Sequence, residues 1–136
     1  MGFLKKYSIS TSYNEVRDIT REIKEAVAES RVQEGICIVH NTHSTAGMTV
    51  FSPWDTDGFI DLNEEIRRLV PTRIDFKHQH DTPQDAAGHM KSALFGVTLT
   101  FIIHEGKLLV GGSQGIYFLE FDGPRNREFY VKVMEG

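Results

Sequence analysis

Histidine is the side chain best suited to move protons or grip a transition metal near neutral pH, and this chain of 136 residues carries six. His40 and His43 lie three apart in a strand-like run, so a regular strand turns their rings to opposite faces. His43 also opens the polar turn His43-Ser44-Thr45-Ala46-Gly47, whose hydroxyls and backbone amides suit tautomer control or anion binding. His78 and His80 are two apart, which in an extended segment points both rings to one side, as chelation requires. His89 follows Asp85 by one helical turn, where a carboxylate can orient an imidazole. Each also has an ordinary reading: a histidine at a strand end, idle histidines in a polar loop, a carboxylate that merely complements a helix dipole. Imidazole clusters suit Zn²⁺, Ni²⁺ or Cu²⁺, and three protein ligands with a position left for water is the layout of a catalytic zinc site. The spacings match no standard metal motif.

Other chemistry is thinner. Glu120 falls at the same parity as Ile116 and Phe118, so its carboxylate is expected to face inward, where it needs a partner; Arg125 is at hand. Gly111-Gly112-Ser113-Gln114-Gly115 is rich in glycine but lies between strands rather than before a helix, which favours a tight corner of a sheet over a phosphate loop. Asp55, Asp57 and Asp61 read as the acidic start of a helix. Cys37 sits in the apolar run Ile36-Cys37-Ile38-Val39 and no Gly-x-Ser-x-Gly is present, so nucleophilic acyl transfer has little support. A single cysteine also excludes an intrachain disulfide and fits a reducing compartment.

The elements that must position these groups follow from periodicity. Residues 3–10 read as a strand. Ser12 with Glu15 forms a capping box, and Val16, Ile19, Ile23, Ala26 and Val27 recur at helical spacing, predicting a helix over about 12–32. Gly35 to Ser52 predicts two strands around the polar turn. A second helix carries Phe59, Leu62, Ile66 and Leu69 on one face, has Asp55 or Thr56 as its cap and closes at Val70-Pro71. Thr82-Pro83-Gln84-Asp85 starts a third helix over about 83–95. A meander of strands follows near 97–103, 108–110, 115–121 and 127–134. Helices early and hairpins late predict an α+β fold with mostly antiparallel pairing.

Length and composition bound the rest. At 15.4 kDa the chain is one domain over 1–136, too short for a (β/α)₈ barrel, which needs roughly 200 residues or more. It is 40% hydrophobic and 25% charged, with a mean hydropathy of -0.29, an ordinary water-soluble composition. The net charge of -4 offers no global attraction to nucleic acid or to an anionic membrane. No window approaches the ~20 apolar residues of a membrane span, and the opening Met1–Lys6 lacks an export signal, so a cytoplasmic protein is expected.

Five ordered blocks resemble the YjbQ family, also called UPF0047: His43-Ser44-Thr45-Ala46-Gly47; Leu69-Val70-Pro71; Phe76-Lys77-His78; Asp85-Ala86-Ala87-Gly88-His89-Met90-Lys91-Ser92-Ala93-Leu94-Phe95-Gly96; and Gln114-Gly115 through Gly123-Pro124-Arg125. The resemblance implies an antiparallel β-sandwich with two or three helices, a homotrimer, and a histidine-lined site near the subunit interface. It places the family histidines on His43, His78 and His89, leaving out His40, His80 and His104. Asp85 stands where the family often has Asn, which keeps a polar neighbour one turn before His89. Gln114 and Glu120 match the late motif, but Gly112-Ser113 stands where the family usually reads Thr-Trp, removing an aromatic wall unless Trp54 supplies one through the fold.

The function expected from this is a metal-dependent enzyme acting on a phosphorylated or anionic small molecule. The resemblance is to a family with weak thiamine-phosphate synthase activity, and either a transferase of that kind or a metal-dependent hydrolase is implied. The expected metal is zinc or a similar divalent ion on His43, His78 and His89. Asp85, Gln114 and Glu120 are the catalytic candidates, and Ser44, Thr45, Gln114 and Arg125 the substrate-binding ones. Arg125, Arg127 and Lys91 are the cations available to anchor a phosphate. The alternative is a non-catalytic trimer that binds a small anion or metabolite, and the plainest reading is an assembly module whose histidines only satisfy an interface.

Overall fold

The computed structural model describes residues 2–136; Met1 lies outside them. The elements run β1 (Gly2–Thr11), β2 (Val16–Asp18), α1 (Thr20–Ser30), β3 (Gly35–Asn41), β4 (Ala46–Phe51), α2 (Thr56–Leu69), α3 (Pro83–Phe95), β5 (Thr98–His104), β6 (Lys107–Leu108), β7 (Gly115–Glu120) and β8 (Arg125–Glu135). They build a five-stranded sheet in the order β1-β8-β3-β5-β6 and a three-stranded sheet in the order β2-β7-β4. All pairing is antiparallel. The α+β class and the antiparallel architecture are as the periodicities imply.

Alternation sets the layers. Along β8, Arg127, Phe129, Val131 and Val133 are buried while their neighbours are partly open, which gives the large sheet one apolar face. That face meets Ile116 and Phe118 of β7, Met48 of β4, and Ile23, Ala26 and Val27 of α1 in the main core. β7 is buried on both sides. Its odd residues Tyr117 and Leu119, with Phe121 beyond, face the other way and form a second cluster with Ile66, Phe59 and Leu62 of α2 and Phe95 of α3.

One helix start differs from expectation. Ser12 and Glu15 make half of a capping box: the Ser12 amide donates to Glu15 Oε1 at 2.9 Å, while the Glu15 amide donates to the Ser12 backbone carbonyl at 3.3 Å. They close a turn, however, and Val16–Asp18 then pairs with β7 through Val16↔Leu119, so α1 begins only at Thr20. Partnership with a strand edge overrides the local helix signal. The other two helices begin where their caps predict: Asp55 accepts from the Gly58 amide and Thr82 from the Asp85 amide.

Gly88 lets α3 approach the small sheet, since a Cβ there would stand 2.9 Å from the Phe121 carbonyl oxygen and 3.4 Å from the Thr45 side chain. Gly123, at φ 93°, turns the chain between β7 and β8. No helix among the described residues is long and apolar enough to cross a membrane.

Candidate functional site

Three histidines gather where α3 begins. The ring centres of His78 and His80 are 4.7 Å apart, and those of His78 and His89 are 5.1 Å apart. The loop of residues 71–82 carries the first two, and the Thr82 cap, followed by Pro83 in the first turn, fixes where the helix bearing His89 starts. Asp85 Oδ2 stands 3.3 Å from His89 Nε2, one turn earlier on the same face. Its other oxygen lies 3.7 Å from Arg125 Nη2, a group also held by Asp122 at 2.7 Å and Asp81 at 3.5 Å. Asp85 therefore links an imidazole to a guanidinium, and a carboxylate beside Nε2 favours the proton on that nitrogen, leaving Nδ1 as the lone pair.

His43 reaches the same region from the β3–β4 turn. β3 ends at Asn41, so His43 escapes the strict alternation that would set it opposite His40; Asn41 Oδ1 accepts from the His43 amide at 2.7 Å. An open cavity of about 460 Å³ is lined by His43 and Ser44 on one side and by His89 and Ser92 on the other. The Glu128 amide donates to His43 Nε2 at 2.8 Å, which places the neutral ring's proton on Nδ1. Burial holds this imidazole below its ordinary range, the charge of Arg127 pushes the same way, and Glu120 and Glu128 pull back.

Ring spacing tests the fit to an ion. Two imidazoles on one tetrahedral zinc, with bonds of about 2.1 Å, have ring centres roughly 5 Å apart, which is the separation His78 keeps from each neighbour. Among the described residues, however, no group of three or more His, Cys, Asp or Glu is placed to hold a metal ion. One chain thus offers imidazole pairs. His80, which neither the resemblance nor the family pattern marks, belongs to the cluster; its two-residue spacing from His78 is the signal for it.

The remaining candidates lie in different settings. Glu120 is wholly buried and paired with Arg127, whose Nε donates to Oε1 at 2.8 Å; Thr11 and the Asp122 amide supply its other bonds. The inward parity of Glu120 is as expected, but its partner is Arg127 and not Arg125, because Arg127 shares the buried face of β8 with Phe129 whereas Arg125 emerges at the turn beside Asp122. Thr45 is buried and accepts from Arg127 Nη2 at 2.8 Å. Ser44 lines the cavity. Gln114 accepts the Gly111 amide at 2.8 Å, closing the glycine-rich corner, and does not line the histidine cavity. Trp54 Nε1 donates to Ser113 Oγ at 3.1 Å, so the single indole of the chain rests against the glycine-rich loop. Burial pushes the Cys37 thiol up to about 11, an inert state.

Comparison with known proteins bears directly on this architecture. The family model described as UPF0047 protein YjbQ-like matches residues 5–136. The chain belongs to the YjbQ-like UPF0047 family. A UPF0047 protein of Methanocaldococcus jannaschii is 42% identical over 96% of this chain and 94% of its own. The YugU protein of Bacillus subtilis, also UPF0047, is 35% identical over 92% and 93%. Among solved structures, a YjbQ/UPF0047 family protein of Clostridium acetobutylicum superposes with a TM-score of 0.89 at 39% identity, covering 96% of this chain and 99% of its own. A protein of unknown function from Sulfolobus solfataricus reaches 0.94 at 27% identity, covering 100% and 99%. The expected fold family is thereby established.

Proposed function

We propose that the protein is an enzyme acting on a phosphorylated or otherwise anionic small molecule in the cavity between His43 and His89. What carries the reading is the Asp85–His89 contact of 3.3 Å at a cavity wall that His43 and Ser44 face. An imidazole held by a carboxylate at the wall of an open cleft is an arrangement suited to proton transfer and ligand binding.

In this reading Asp85 keeps the Nε2 proton on His89 and thereby presents Nδ1 outward. His43, whose Nε2 is occupied by the Glu128 amide, points a Nδ1 proton that can be donated to an anionic oxygen. Ser44 supplies a further hydroxyl to the same cavity. A divalent metal, zinc or a similar ion, belongs on His78 and His89, where it would polarise a phosphoryl oxygen or activate water. The reading takes the protein as a homotrimer, in which a neighbouring copy can complete the donor set.

The test is metal content and turnover measured together. Purified protein should hold a stoichiometric divalent ion by elemental analysis and should hydrolyse a phosphate monoester or form thiamine phosphate, and His89→Ala should lose both while remaining folded. Undiminished metal in His89→Ala overturns the ligand assignment. Ligand binding with no turnover in any form returns the protein to the class of non-catalytic metabolite binders.

A further inference from the structure

β3 stops just short of the end of β8. Its last paired residue, Asn41, stands opposite Phe129, so the Glu128 amide finds no strand partner there and is taken instead by His43 Nε2 at 2.8 Å. The imidazole thereby closes the end of the large sheet, and it lines two cavities. One is the histidine cavity shared with Ser44 and His89. The other, of about 400 Å³, is lined by Ser8, Ser10, Asn126 and Glu128 as well as by His43. Among the described residues His43 alone lines both.

The second cavity has a chemistry of its own. Ser8 stands opposite Glu128 and Ser10 opposite Asn126 across the β1–β8 ladder, which puts four polar side chains on one face. Ser10 Oγ donates to Asn126 Oδ1 at 3.0 Å, and no protein acceptor among the described residues engages the Asn126 amide hydrogens. The Glu128 carboxylate is held loosely, with the Tyr130 hydroxyl at 3.5 Å from Oε2 and Lys6 Nζ at 3.7 Å from Oε1. Lys6 offsets that carboxylate, so there is little net pull on a cation. Arg127, the one cation in the lining, is locked onto Glu120 and offers nothing to an anion. Hydroxyls, a free amide and a loosely held carboxylate, donors mixed with acceptors and no charge to spare, match the neutral hydroxyl groups of a ligand.

We propose that the cavity beyond His43 is a subsite for the hydroxyl-bearing part of the ligand, so that the molecule bound is a phosphorylated sugar or polyol lying across His43. The assignment rests on the reading above that an anionic group occupies the cavity between His43 and His89. Each cavity falls within the roughly 300–1,000 Å³ of small-molecule sites. The phosphate end is held on the His89 side, and the hydroxyls meet Ser8, Ser10, Asn126 and Glu128, the carboxylate and the amide being able to bracket a vicinal diol.

Ribitol phosphate and pentyl phosphate, equal in charge and chain length and differing in hydroxyls, test it by calorimetric titration. Wild-type protein should bind ribitol phosphate about tenfold tighter or more, and Asn126→Ala and Glu128→Ala should each bring the ratio of the two affinities close to one. Asn126 is exposed and its ladder contacts are made by the backbone, so Asn126→Ala keeps the fold. Equal affinities in the wild type, or an unchanged ratio in both variants, overturn the subsite and leave the anion reading standing. Tighter binding of aminopentyl phosphate than of ribitol phosphate also overturns it, by showing that Glu128 selects a cation. No binding of any of these phosphates overturns the anion reading and the subsite with it.

Discussion

Arg127 donates to both carboxylate oxygens of Glu120, and the same guanidinium reaches the Thr45 carbonyl and hydroxyl at 3.3 and 2.8 Å, so one buried ion pair holds β7, β8 and the turn that carries His43. Glu120 has no oxygen left for a substrate, since Thr11 and the Asp122 amide take its remaining lone pairs. Through Arg127 it ties β7 and β8 to the turn that carries His43.

Removing one partner of that pair leaves the other charge buried and unmatched. Glu120→Ala should therefore cost about 3–5 kcal/mol of stability, read as a drop in urea midpoint at unchanged slope. The double change Glu120→Leu with Arg127→Met should recover most of the loss. Equal losses in the single and double variants would show that the pair does not act as a unit.

His43 gives a pH dependence with a definite sign. Its imidazole titrates in the folded protein below the ordinary value of 6.5, so between these two values the unfolded chain binds the extra proton. Stability attributable to His43 is present above the ordinary value and is lost as pH falls through that window. His43→Gln, which keeps an acceptor for the Glu128 amide, should show a flatter stability profile than wild type between about pH 5 and pH 7.5. Parallel profiles for the two proteins would refute the assignment.

Asp85 contacts His89 through one carboxylate oxygen and Arg125 through the other. Under the proposed metal reading, Asp85→Ala should weaken metal binding about 10–100-fold and Asp85→Asn much less, because the amide oxygen still accepts from Nε2. Competition with a chromogenic chelator measures both. The same affinity in the alanine variant and wild type would leave Asp85 with only its ion pair to Arg125.

Gly88 controls the seat of α3. Gly88→Ala puts a Cβ 2.9 Å from the Phe121 carbonyl, a backbone atom that cannot step aside. The helix must shift, at a cost of about 1–3 kcal/mol, and His89 moves with it. A thermal melt should show the loss, and the His78 and His89 ring resonances should both be displaced.

Much of this was legible from residue order. Thr82-Pro83, and the pair Asp55 and Thr56 of which Asp55 is the cap, marked two helix starts because caps act within one turn and need no distant partner. The box at Ser12 and Glu15 forms only its Glu15 side-chain bond and starts no helix, because the next three residues pair with β7, about a hundred positions later. For the site, Asp85 and His89 were readable from helical spacing, and His78 with His80 from extended spacing. The contact of His78 with His89, the amide on His43 and the choice of Arg127 over Arg125 all depend on chain reversals that no local pattern encodes.

β7 has no free side. Ile116 and Phe118 belong to one cluster, Tyr117 and Leu119 to the other, and the strand sits between β2 and β4 in its sheet. Neither cluster can melt while the other persists, because the strand they share would lose half its neighbours. Unfolding is thereby coupled into one transition, and the backbone amides of residues 116–119 should be the slowest in the molecule to exchange with deuterated solvent.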